Sequence, residues 1–129
     1  MLYLAYYLIV TSIRLKELIW LGSSLDDLKS FPDEVQDEVG YALHCAQLGN
    51  TDFSAKPFKG FGSGVYEIVS NFNTDAYRAV YIVNLDDCLY VLHAFQKKSK
   101  SGIKTPQKDL NMISNRLKQL KLKLKGNRI

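Results

Sequence analysis

Three short apolar runs, rich in β-branched and aromatic residues and separated by turn chemistry, fill the stretch from Val65 to Lys100. Val65–Val69 is closed by Ser70-Asn71 and Asn73-Thr74-Asp75. Tyr77–Val83 is closed by Asn84-Leu85-Asp86-Asp87, and Leu89–Phe95 runs into Gln96-Lys97-Lys98. Runs of this length with Asn, Asp and Ser between them predict a three-stranded antiparallel meander. Arg78 falls inside the middle strand and His93 inside the last, where a sheet built only for packing would carry apolar side chains. A cation in a strand beside a lysine pair points to a surface that handles phosphate, and hence RNA.

The flanking segments complete the layers. Lys16–Leu21 reads as a short strand stopped by Gly22. Ser24 suits a helix N-cap with an acid three residues on, and Leu25, Leu28 and Phe31 follow at helical spacing. Pro32 opens a second helix, with Asp33 and Glu34 at its positive end and Val35, Val39, Ala42, Leu43 and Ala46 as its apolar stripe. Thr51 to Gly64 reads as a loop in which Gly60, Gly62 and Gly64 feed the meander, and Lys56 and Lys59 can line a groove. After a basic loop from Lys97 to Lys104, Thr105 and Pro106 start a helix with an apolar seam of Leu110, Ile113, Leu117, Leu120 and Leu124. The expected fold is α+β: a small, twisted, mostly antiparallel sheet with an αα-hairpin on one face and a basic C-terminal helix.

Charge divides the chain. Residues 1–52 hold three Lys/Arg and eight Asp/Glu (net −5), whereas residues 53–129 hold fourteen and five (net +9). The basic end is the natural place for a polyanion, with a solvated lysine-rich helix as the plain alternative. Two cysteines make no disulfide framework, and with two histidines and no CxxC or HExxH the expectation is no metal, no cofactor and a cytoplasmic, reducing setting. The apolar run Leu2–Val10 lacks the flanks of a signal peptide and is shorter than the roughly 20 residues a membrane span needs. It is expected to be an appended strand or helix, or the product of an upstream translation start, rather than a membrane anchor.

The order Tyr-Arg-x-x-Tyr at Tyr77–Tyr81, Leu-His-x-Phe-x-Lys-Lys at Leu92–Lys98, and Thr105-Pro106 opening a basic helix resembles the HigB-like, phage-derived branch of the RelE/ParE toxin superfamily. The resemblance runs from about Leu18 to Leu124. It implies a RelE-like domain over residues 17–129 preceded by an extension at residues 1–16. It also implies a type II toxin that cuts mRNA on the ribosome and is silenced by a cognate antitoxin, either small and acidic or of the helix-turn-helix type.

Attack by the RNA's own 2′-hydroxyl needs a base, cations for the charge on phosphorus, and an acid for the leaving oxygen. Arg78 is the expected phosphate clamp, since its planar fork meets two oxygens; pairing with Glu67 or Asp75 is the structural alternative. One of Lys97 and Lys98 shares its face. His93 is either the proton carrier or a hydrogen-bonded core histidine. Tyr77, Tyr81 and Tyr66 can stack a base or pack the sheet, and Lys100, Lys104 and Lys108 extend the basic surface.

In one respect the chain departs from such toxins. They place extra cations on the strand before the Tyr-Arg motif, where this chain has Glu67, so Glu67 is the base or the nuclease is altered. Two other functions stay open: a ParE-like poison of DNA gyrase, and a non-catalytic nucleic-acid-binding module.

Overall fold

A computed structural model of the protein describes residues 4–5, 15–97 and 104–126. Lys98, Lys100 and most of the expected extension at residues 1–16 lie outside the described residues. Five strands form one mixed sheet in the order β1-β5-β4-β3-β2. They are β1 Glu17–Trp20, β2 Ala55–Pro57, β3 Val65–Phe72, β4 Asp75–Ile82 and β5 Cys88–Lys97. The meander is β3-β4-β5, antiparallel throughout. Its first hairpin turns at Asn73-Thr74, whose φ angles of 49° and 69° suit the two-residue turn that matches strand twist. Ser70 and Asn71, expected to close the strand, instead pair with Tyr77 and Ala76 and extend it.

Two strands join from outside the meander. β1 runs parallel to β5, with Glu17 opposite Cys88 and Trp20 opposite Val91. β2 lies within the segment expected to be loop and pairs antiparallel with β3. It is three residues long and ends on Pro57. Lacking an N–H, a proline fits at the edge of a sheet, which is where β2 stands.

Helices cover both faces: α1 Ser24–Lys29, α2 Asp33–Gln47 and α3 Gln107–Gly126. Ser23, not Ser24, precedes the first turn of α1. Ser24 is buried, and its hydroxyl donates to the Val91 carbonyl at 3.4 Å. Leu28, Phe31 and the expected α2 stripe pack with Ile68, Tyr77, Ala79, Tyr81, Leu89, Val91 and Ala94. On the other face, Ile113, Leu117 and Leu120 of α3 pack with Val65, Val80, Ile82, Tyr90, Leu92 and Phe95. Full burial of Leu43, Ile68, Leu89 and Ile113 stabilises by roughly 1.5–3 kcal/mol each. Strand β5 is therefore enclosed from both sides, and only Cys88 and Gln96 of its residues escape burial. The α3 seam starts at the buried Asp109, whereas Leu110 is half-buried.

At Gly64 two backbones nearly touch. Its φ is +84°, and an added Cβ would stand 2.6 Å from the Val83 carbonyl oxygen. Its own carbonyl accepts the Val83 N–H at 2.9 Å. Gly64→Ala is expected to destabilise the fold by about 1–3 kcal/mol, the cost of a strained left-handed residue. Urea titration checks this, and an unchanged midpoint would mean that the turn relaxes freely.

Candidate functional site

Alternation along the strands decides which side chains share the α3 face. Val80 is in register with Glu67 on one side and His93 on the other, Arg78 with Phe95, and Ala76 with Lys97. Across the other ladder Lys56 stands opposite Glu67. A diagonal of charge, Lys56, Glu67, Arg78 and Lys97, thus crosses four strands on one face. Lys97 shares Arg78's face; Lys98 lies outside the described residues.

Arg78 Nη1 donates to Glu67 Oε1 at 2.7 Å. The Glu67 side chain is 2% exposed and that of Arg78 15%. Two atoms of the pair, Glu67 Oε2 and Arg78 Nε, are buried without a hydrogen-bond partner among the described residues. An unsatisfied buried polar group costs about 1–3 kcal/mol, so this pair is poorly arranged for stability alone. Lys97 is buried beside it. Burial, and then the charge of Arg78, hold its ammonium below the usual lysine range, with Glu67 acting in the opposite sense. The face thus combines a carboxylate oxygen with an unused lone pair, a guanidinium fork, and an ammonium that releases its proton more readily than most. By type these groups match what a base, a charge clamp and an acid require.

His93 is held differently. Its Nε2 lies 2.8 Å from Asp109 Oδ1 and its Nδ1 3.4 Å from Arg116 Nη1. A guanidinium can only donate, so Nδ1 accepts and Nε2 carries the proton shared with Asp109. The ring stacks on Phe95 at 5.0 Å between centroids. Arg116 also donates to the Leu92 carbonyl at 2.9 Å and to Ser23 Oγ at 3.1 Å. It lies over Gly22, where φ is +53° and a Cβ would strike the guanidinium. Of the two readings of His93, this geometry matches the hydrogen-bonded one, since both nitrogens are engaged. Asp109 and Arg116 were not among the sequence candidates. Their signal was spacing: Asp109, Ile113, Arg116 and Leu120 fall on one helix face, which puts two charges on the apolar stripe.

The tyrosines are not brought to Arg78. Tyr81 is 1% exposed, stacks on Tyr66 at 5.5 Å, and has its hydroxyl pushed up to about 12 by burial. Tyr77 packs on Phe31 at 4.9 Å. Both belong to the α1–α2 layer, because neighbouring residues on a strand point to opposite faces. Tyr77 nonetheless reaches a cavity of about 340 Å³ that His93, Phe95 and Lys108 also line. Lys56, Lys59, Lys104 and Lys108 are exposed.

Residues 26–118, well over half of the chain, match a family model described as phage derived protein Gp49-like (DUF891). The span includes Glu67, Arg78, His93, Lys97 and Asp109. No curated protein matches the chain.

Folding lowers the pKa of Lys97 from 10.5, so the unfolded chain holds that proton more tightly. The cost of burying the ammonium is present in full below the folded pKa and fades as pH rises through it toward 10.5. Lys97→Met is therefore expected to raise the melting midpoint at pH 7, and its advantage over the parent should shrink as pH rises toward 10.5. A variant that melts lower at every pH would mean that the ammonium stabilises the fold.

Proposed function

The chain belongs to the Gp49-like family of phage-derived proteins, part of the RelE/HigB-type toxin group associated with toxin–antitoxin pairs, and on that premise we propose that it is a type II toxin that cleaves mRNA on the ribosome. The observation that carries the reading is the convergence of Glu67, Arg78 and Lys97 on one buried sheet face. Glu67 Oε2 takes the proton of the 2′-hydroxyl as that oxygen attacks phosphorus. Arg78 meets the charge on the phosphoryl oxygens. The bond from phosphorus to the 5′ oxygen breaks, and Lys97 supplies the proton that oxygen needs. The products are a 2′,3′-cyclic phosphate and a 5′-hydroxyl.

Binding of the phosphate draws the Arg78 fork away from Glu67, which frees both carboxylate oxygens at the moment they are needed. Lys56, Lys59, Lys104 and Lys108 follow the RNA backbone, and the ribosome presents the strand. His93, fixed by Asp109 and Arg116, positions β5 under the site. The antitoxin implied by the family covers this surface in the silent complex, and a helix-turn-helix protein is the form proposed for it. A second reading, a ParE-like gyrase poison, is favoured by the closed Glu67–Arg78 pair, since a binding protein needs no released base.

Arg78→Lys keeps a cation beside Glu67 and so protects the fold, but removes the fork. It is expected to slow ribosome-dependent cleavage by roughly 100- to 1000-fold, the usual effect of losing one preorganised donor. Cleavage of a reporter mRNA, with a melting curve for each variant, checks this. A folded Arg78→Lys that retained full toxicity would transfer the function to the gyrase reading.

A further inference from the structure

We infer that the open edge of β3, flanked by Phe53 and Tyr41, is the docking site for an extended, arginine-bearing segment of a partner protein. Strand β2 covers β3 only from Tyr66 to Ile68, and one further bond joins the Val69 N–H to the Ser54 carbonyl at 3.1 Å. Beyond that point Ser70, Asn71 and Phe72 pair with β4 alone among the described residues. An edge left open is a template for one more strand, which a peptide can supply. Beside it lies a groove of about 570 Å³, between α2 and the turn that precedes β2. Two aromatic rings line this groove, Phe53 at 99% exposure and Tyr41 at 63%. The turn is fixed: the Ala55 N–H donates to the Asp52 carbonyl at 2.9 Å, and the Ser54 N–H to Asp52 Oδ2 at 3.2 Å. It thereby carries Phe53 away from the core. Adjoining rings kept in water mark a surface built for contact.

Charge and ring chemistry together select the occupant. Asp37, Glu38 and Asp52 line the groove, and no lysine or arginine does. From Ser30 to Ala55 the chain carries five carboxylates and neither basic residue. A guanidinium answers both features, since its fork pairs with a carboxylate and its plane stacks on an aromatic face. An acidic segment would be repelled. Nucleic acid would meet three carboxylates where its phosphates need cations. A second copy suits the groove less well: within α3 the cations after Leu117 are all lysines, and a helix cannot pair with a strand edge.

The inference does not rest on the nuclease reading, in which Phe53 and Tyr41 take no part, and cleavage of a reporter mRNA measured on the same samples keeps the two apart. The probe is a fluorescein-labelled peptide of about eight residues, alternating arginine and threonine and roughly 27 Å long when extended, titrated into the full chain. Expected is saturable binding that weakens at least about tenfold in Phe53→Ser, weakens in the surface variant Asp37→Lys, and weakens again when the peptide is N-methylated along its backbone and cannot complete the edge. Phe53 is exposed, so its replacement leaves the core intact, which a melting curve checks. Equal binding of the N-methylated peptide or of one with glutamates for arginines, or binding indifferent to both variants, would overturn the proposal. So would a dimer of the parent in sedimentation that Phe53→Ser dissolves, which assigns the rings to a second copy. Weaker binding of a single-stranded RNA by Phe53→Ser would overturn it too, because the rings would then serve nucleic acid.

Discussion

Strand β5 is covered by helices on both faces, so every buried polar side chain it carries has to be satisfied inside the protein or kept for chemistry. His93 and Lys97 are its two buried polar residues, and they meet that demand in opposite ways. His93 is fully engaged by Asp109 and Arg116, and those contacts fasten α3 across the sheet. The same Arg116 reaches Ser23 at the turn between β1 and α1, which Gly22 makes possible by having no Cβ. One histidine thereby ties together the three layers around the strand.

Lys97 is left in a costlier position. Its charge is buried next to Arg78, and the Glu67 that offsets both is already bonded to the guanidinium. Replacing such a cluster with apolar residues of similar volume is often neutral or stabilising. A sheet that keeps two cations, one carboxylate and two buried atoms without a partner among the described residues is poorly arranged for stability alone. Perturbed ionisable groups and locally unfavourable contacts gather at functional sites for that reason. In the proposed reaction the substrate phosphate is the acceptor for Arg78 and the 2′-hydroxyl the source of the proton for Glu67 Oε2, which connects the cost in the resting protein with that reaction.

Much of this was legible in the chain, and where it was not the cause is physical. The meander, the α2 stripe and the α3 seam follow from periods of two and 3.6 residues, which local sequence carries. The pairing of β1 with β5 does not, because a parallel partner about seventy residues away leaves no local trace. The edge strand β2 is hidden in a glycine-rich stretch, and Pro57 argues against a strand unless the edge position is known. Arg78, Glu67 and Lys97 could be named from residue type, but their shared face depended on register. Tyr81 shows the reverse: its type suggested a base stack, yet the alternation that points Arg78 toward α3 points Tyr81 into the α1–α2 core. Asp109 and Arg116 were visible as charges on an apolar stripe, a signal readable only once that stripe is known to be buried.

The chemistry of the cut ends tests the central claim most directly. RNA recovered after the protein is induced can be ligated selectively according to whether fragments end in a 2′,3′-cyclic phosphate and begin with a 5′-hydroxyl. Attack by the 2′-hydroxyl, with Glu67, Arg78 and Lys97 in the roles given, produces those ends, and Glu67→Gln should deplete them while the protein stays folded. Fragments ending in a 3′-hydroxyl and beginning with a 5′-phosphate would mean that water was the nucleophile. Intact mRNA accompanied by DNA breaks would contradict the account altogether.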